Sequence, residues 1–130
     1  MQTFLPFPNF KKSAYVLDCQ RLGKQRVEVL QILNAMTKGK GWANHPATKM
    51  WMGYEDALKA YGNACICDWI ERGYSNNMPL WEHGDIVMPP WFGDEDFHKS
   101  HQSNLLRKDA EFYGSVFPGV PDNLPYIWPA

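Results

Sequence analysis

The chain has 130 residues, the size of one ordinary domain, and is read as a single domain over residues 1–130. Hydrophobic residues at 45% and aromatics at 15% supply a core, and charged residues at only 21% exclude a disordered, self-repelling chain. No apolar run is longer than four residues, which excludes a membrane span and the core of a secretory signal, so a soluble, intracellular protein is expected. Three cysteines cannot all pair, and Cys65 and Cys67 lack metal-ligand spacing; they read, with Cys19, as reduced and mostly buried thiols.

The net charge of −1 conceals a division along the chain. Residues 1–50 carry eight Lys or Arg against Asp18 and Glu28, a net +6, while the remainder carries five basic and twelve acidic residues, a net −7. Local potential rather than net charge attracts a polyanion, so the first half is a candidate positive face. An acidic half folded over it and neutralising it fits the same arithmetic.

In chain order, Pro6 and Pro8 among aromatics predict an extended lead-in. Asp18 is a fitting N-cap for a first long helix, along which Leu22, Val29, Leu33 and Met36, flanked by Leu30, share a buried face. Arg21, Lys24, Gln25 and Glu28 follow i, i+3, i+4, i+7 spacing on another face, and the helix should end near Gly39 and Gly41. Pro46 suits the first turn of a second helix, whose apolar face runs from Met50 and Trp51 through Tyr61 to Trp69 and which stops at Gly73. The Pro, Gly and Asn of residues 74–93 predict a long connection, and a third helix spans about Asp96–Lys108. The proline-rich tail from Tyr113 should wrap and pack without regular structure. The fold class is therefore all-α: a compact domain of about three main helices with long ordered Pro/Gly-rich loops.

Glu28 is the one carboxylate on a face otherwise held by Arg21, Lys24 and Gln25. Positive neighbours keep such a group ionised, and an ionised carboxylate facing a sugar stabilises oxocarbenium charge or handles a proton. A solvated Lys24–Glu28 pair is the plainer alternative. Asn44 and His45, before Pro46, suit phosphate binding at a helix entrance or simple capping. His98 and His101, with Arg107 and Lys108 beyond them, suit a phosphate clamp better than a metal pair, since no third ligand is in view. Of six tryptophans, Trp42, Trp91 and Trp128 fall in predicted loops and are the candidates for stacking on bases.

Together, LDCQRLGKQRVEVLQIL (17–33), NHPATKMWMGYEDALKAYG (44–62), DWIERG (68–73) and LLRKDAEFYG (105–114) resemble the pyrimidine-dimer DNA glycosylase family, the phage endonuclease V-like enzymes. The resemblance implies an all-helical fold, a basic DNA-binding face, and cleavage of the glycosidic bond of a damaged pyrimidine followed by nicking at the abasic site. It places the family's catalytic glutamate on Glu28 and DNA-contacting positions on Arg21, Lys24, Gln25 and Arg26. The family's aromatic and basic C-terminal segment corresponds loosely to Arg107, Lys108, Phe112, Tyr113 and Trp128. The family nucleophile is the α-amine of a threonine exposed when the initiator Met is lost; here Gln2 follows Met1, and its bulk should retain Met1. The amine of Met1 is then the expected nucleophile, forming an imine at the anomeric carbon.

The expectation is a DNA repair glycosylase, Glu28 and Met1 catalytic, with Arg21, Lys24, Gln25, Arg26, Asn44, His45, Arg107 and Lys108 meeting DNA. Its partner is double-stranded DNA containing a lesion, with no membrane, no metal and no cofactor. It is expected to act as a monomer in the cytoplasm of a bacterial or phage-infected cell. The alternatives are a glycosylase or lyase for another modified base or abasic site, and a non-catalytic DNA-binding module gripping phosphates.

Overall fold

The computed structural model describes residues 1–39 and 41–129, with the backbone alone at 41 and 42. Lys40 and the side chain of Trp42 therefore lie outside the described part. The described residues form six α-helices and no strand: α1 (Phe10–Tyr15), α2 (Cys19–Lys38), α3 (Pro46–Lys49), α4 (Glu55–Glu71), α5 (Glu95–Lys108) and α6 (Ala110–Tyr113), with a 3-10 turn over Gly41–Asn44. None of the described helices is long and apolar enough to cross a membrane.

Local chemistry sets the ends of α2. The Asp18 carboxylate accepts the Arg21 main-chain N–H at 3.3 Å, and Gly39, at φ 65°, closes the helix by donating its N–H to Ala35 O at 2.9 Å. Leu22, Gln25, Val29, Ile32, Leu33 and Ala35 are its buried side, whereas Met36 is half-buried and Leu30 exposed. Helix α4 packs against α2 through Gly62, where a Cβ would lie 2.5 Å from the Trp81 ring and 2.8 Å from Val29 Cγ1. Only a glycine admits that approach. Helix α5 starts on the Asp94 carboxylate, with Glu95 and Asp96 in its first turn and Arg107 and Lys108 in its last, charges that complement its dipole.

The single second helix expected from Pro46 onward is two helices. The chain turns at Gly53, at φ 84°, so α3 is one short turn and α4 begins anew at Glu55. Helices α1 and α6, short and capped by Asn9 and Asp109, are additions to the three helices read from periodicity. The thiols also differ from expectation: Cys65 is buried, but Cys19 and Cys67 are exposed, because they fall on the solvent sides of α2 and α4.

The first five residues are the unusual part of the fold. Residues 2–5 are buried, with Thr3 and Leu5 fully enclosed and Gln2 8% exposed, and Met1 is partly buried, yet the segment joins no sheet and no helix. A buried main chain must still satisfy its polar groups. Here side chains from three helices do so. Gln25 of α2 accepts the Phe4 N–H through Oε1 at 2.7 Å and donates from Nε2 to Gln2 O at 2.8 Å. The Tyr61 hydroxyl of α4 donates to Phe4 O. From α5, His101 Nδ1 accepts the Leu5 N–H at 2.9 Å, His98 Nδ1–H donates to Leu5 O at 2.7 Å, and Gln102 donates to Pro6 O at 2.7 Å. The Gly93 N–H donates to His98 Nε2 at 2.9 Å, which fixes His98 as the neutral Nδ1–H tautomer.

Candidate active site

Pinned this way, the N-terminus is delivered to the middle of α2. The Gln2 main-chain N–H donates to Glu28 Oε2 at 2.9 Å, 26 positions along the chain. Around that contact opens a cavity of about 360 Å³ lined by Met1, Gln2, Phe4, Gln20, Arg21, Lys24, Gln25, Glu28, Lys108, Tyr126 and Trp128. The structure thus brings seven sequence-selected residues to one place: Met1, Arg21, Lys24, Gln25, Glu28, Lys108 and the stacking candidate Trp128.

The lining is polar and largely cationic. Arg21 is held by the Asp18 carboxylate at 3.0 Å. Burial works to raise the Asp18 pKa, but hydrogen bonds from Tyr113 and Arg21, with the Arg21 charge, outweigh it and hold the carboxyl below its ordinary value. Asp18 is thereby kept ionised as the anchor of Arg21. Lys24 and Lys108 are exposed, and Trp128, 37% exposed, meets the His45 ring edge-on with centroids 5.9 Å apart. Burial lowers the His45 pKa, the positive terminus of Met1 lowers it further, and Glu28 opposes both. The imidazole therefore lies within electrostatic reach of both the terminus and the carboxylate. Burial raises the Tyr126 phenol, opposed by Arg107 and by the Gln2 side chain.

The structure gives other work to several residues expected to meet DNA. Gln25 is 1% exposed, and both ends of its amide are committed to the main chain of Gln2 and Phe4. Arg26, one residue on, is turned roughly 100° around the helix and leaves the cavity; its guanidinium stacks 4.4 Å over the Trp69 ring and donates to Asn76 Oδ1 at 2.5 Å. Arg107 donates to Asn104 and, at 3.0 Å, to Leu124 O, so it fastens the tail to α5. Asn44 is exposed, outside the cavity lining, and His45 caps α3 by accepting the Ala47 N–H at 3.0 Å. His98 and His101 hold Leu5 rather than a phosphate or a metal. Trp91 is packed edge-on against Trp51, with its Nε1–H donating to Met50 O at 3.1 Å, and belongs to the core.

Sequence reasoning passed over Gln2 and Gln20 as site residues, and Tyr126 beyond its place in the tail. Nothing in a lone glutamine near a terminus marks it; only the folded path of residues 1–5 brings Gln2 against α2.

The family model for pyrimidine dimer DNA glycosylases matches residues 1–82. The chain belongs to the pyrimidine dimer DNA glycosylase family. No curated protein and no solved structure matches it. The matched stretch runs from the pinned terminus through α4, so it carries Met1, Arg21, Lys24 and Glu28; the Lys108, Tyr126 and Trp128 wall lies beyond it. As a member of this family the protein is a DNA glycosylase, and DNA is its substrate. A cavity walled by Arg21, Lys24 and Lys108 around a single carboxylate suits a polyanion that must present a sugar to that carboxylate.

Proposed function

We propose that this glycosylase excises a damaged pyrimidine from duplex DNA and then nicks the strand, with the α-amine of Met1 as nucleophile and Glu28 as its carboxylate partner. The observation that carries the proposal is the 2.9 Å hydrogen bond from the Gln2 N–H to Glu28 Oε2, which sets the terminal amine one residue from that carboxylate inside the cavity. The neutral amine attacks C1′ of the lesion nucleotide. The C1′–N1 bond breaks, and its electron pair leaves with the base, which takes up a proton. C1′–O4′ then opens with its electron pair on O4′, which takes up a proton from the nitrogen, and an imine to C1′ remains, its N-protonated form stabilised by Glu28. Removal of a C2′ proton then expels the 3′ phosphate, breaking the strand. Arg21, Lys24 and Lys108 hold flanking phosphates, and the target nucleotide is unpaired at least cost where the lesion has already weakened its stacking.

Purified protein incubated with dimer-bearing, abasic and intact duplexes tests the reading, with borohydride present to trap an imine. Glycosidic-bond cleavage and nicking on the first, nicking alone on the second, and an adduct mapped by mass to Met1 are the expected results. An adduct on a chain beginning at Gln2 would transfer the role to the nitrogen that touches Glu28 directly. An adduct on Lys24 would transfer it to that side chain. Base release without any adduct would leave Glu28 as the activator of water, and binding without any reaction would leave a DNA-binding module.

A further inference from the structure

Gln2 is fixed on three sides. Its N–H binds Glu28 at 2.9 Å, its carbonyl accepts from Gln25 Nε2 at 2.8 Å, and its own side-chain Oε1 accepts the Thr3 N–H at 2.9 Å. The last contact orients the amide, so its other end, Nε2, is defined as well. That nitrogen is buried and has no hydrogen-bond partner among the described residues, although Gln2 lines the cavity. The Gln2 amide is close enough to the Tyr126 hydroxyl to work against the burial that raises that phenol's pKa, so Nε2 has Tyr126 Oη as a neighbour, but outside hydrogen-bond geometry. A buried donor left unsatisfied is costly, and one held on the wall of an active-site cavity is a donor waiting for an acceptor on the ligand.

We propose that Gln2 Nε2 is a catalytic hydrogen-bond donor to the O2 carbonyl of the departing pyrimidine. This rests on the excision reading above and adds to it the group that receives the negative charge. With Oε1 occupied by Thr3, the amide offers only a donor, and a pyrimidine offers an acceptor at O2, next to the glycosidic nitrogen. The phosphates have their cations in Arg21, Lys24 and Lys108, which leaves the neutral donor for the base. As the C1′–N1 bond breaks, the electron pair that leaves on N1 is shared with O2, so the N–H···O2 bond strengthens during the step. Nε2 itself is closed off from solvent, so the role requires Met1 and Tyr126, both on the cavity wall, to move aside as the base enters.

Two variants separate this role from a structural one. Gln2→Glu keeps an oxygen for the Thr3 N–H and loses the donor; Gln2→Met loses both. Each is bulky enough to retain Met1. Single-turnover cleavage of the C1′–N1 bond in a dimer-bearing duplex, where the detached base stays joined to its dimer partner, is compared with nicking of a preformed abasic site, where that bond is already gone. The ratio of the two rates should fall about 10²-fold in both variants, the scale of one lost oxyanion donor. A ratio unchanged in both overturns the role, and so does a ratio that falls in Gln2→Met alone, which assigns Gln2 to holding Thr3. If the wild-type protein nicks abasic DNA yet releases no pyrimidine from any lesion duplex, the excision reading itself fails, and this role with it.

Discussion

His101 Nδ1 accepts the Leu5 main-chain N–H at 2.9 Å across 96 positions of sequence. The imidazole is fully buried, and burial, assisted by the neighbouring His98, brings its pKa down from 6.5 to about 3. The bond needs that unprotonated nitrogen, so the proton state of one α5 histidine governs how the Leu5 N–H is held.

Acid should therefore loosen the protein early. The folded pKa lies below the unfolded one, so the unfolded chain binds more protons between them. The stabilising contribution is complete above pH 6.5 and is lost as pH falls from there toward about 3. His98, also lowered by burial, adds in the same direction. Each imidazole contributes a slope of about 1.4 kcal/mol per pH unit at most. Melting curves of wild type and His101→Gln between pH 7 and pH 4 should converge as the pH drops; parallel curves would show that His101 does not titrate on unfolding.

Glu28→Gln should keep the fold and lose the chemistry. Its Oε1 still accepts the Gln2 N–H, so the terminus stays in place while the charge beside it is gone. Base release in a single turnover is expected to fall by about 10²–10⁴-fold with DNA affinity nearly intact. A residual rate within threefold of wild type would reduce Glu28 to a surface ion-pair partner of Lys24.

Two cations within four residues of the same carboxylate should behave oppositely. Lys24→Glu is expected to weaken duplex binding and flatten its salt dependence by roughly one phosphate contact. Arg26→Ala should leave that slope alone and instead cost about 1 kcal/mol of stability, through the lost Trp69 stacking and Asn76 bond. Fluorescence titrations over a range of salt, paired with urea unfolding, separate the two; equal slopes in both variants would mean that α2 meets DNA on a broader front.

Gly62→Ala should cost about 1–3 kcal/mol by forcing Trp81 and Val29 apart. Since α2 carries Glu28 and packs there on α4, activity should fall further than stability alone explains, measured well below the melting temperature. A variant as stable and active as wild type would show that the two helices separate freely.

What the sequence disclosed and what it withheld divide along physical lines. Asp18, Gly39 and the 3.6-residue period act within one helix, so α2 and the Arg21, Lys24, Glu28 stripe were legible. The contacts that make a site of that stripe run from Gln2 to Glu28 and from Leu5 to His98 and His101, between 26 and 96 residues apart, and leave no local trace. Polar residues also misled where they serve the main chain: Gln25 looked like a DNA contact and the two histidines like a clamp, because sequence does not say that an extended segment will be buried beside them. The break at Gly53 was hidden by apolar spacing that continues across it.

The side-chain grip on residues 2–5 has a last consequence, one of length. Phe4 and Leu5 are fixed in register by Gln25, Tyr61 and His101, so the terminal nitrogen sits a set number of residues away from a fixed mark. An extended chain advances about 3.3 Å per residue. One residue added before Met1, or Met1 removed, would place that nitrogen past the carboxylate or short of it, while the bonds that hold Phe4 and Leu5 stay as they are. If the terminal amine is the nucleophile proposed above, the segment works as a ruler whose tolerance is less than one residue.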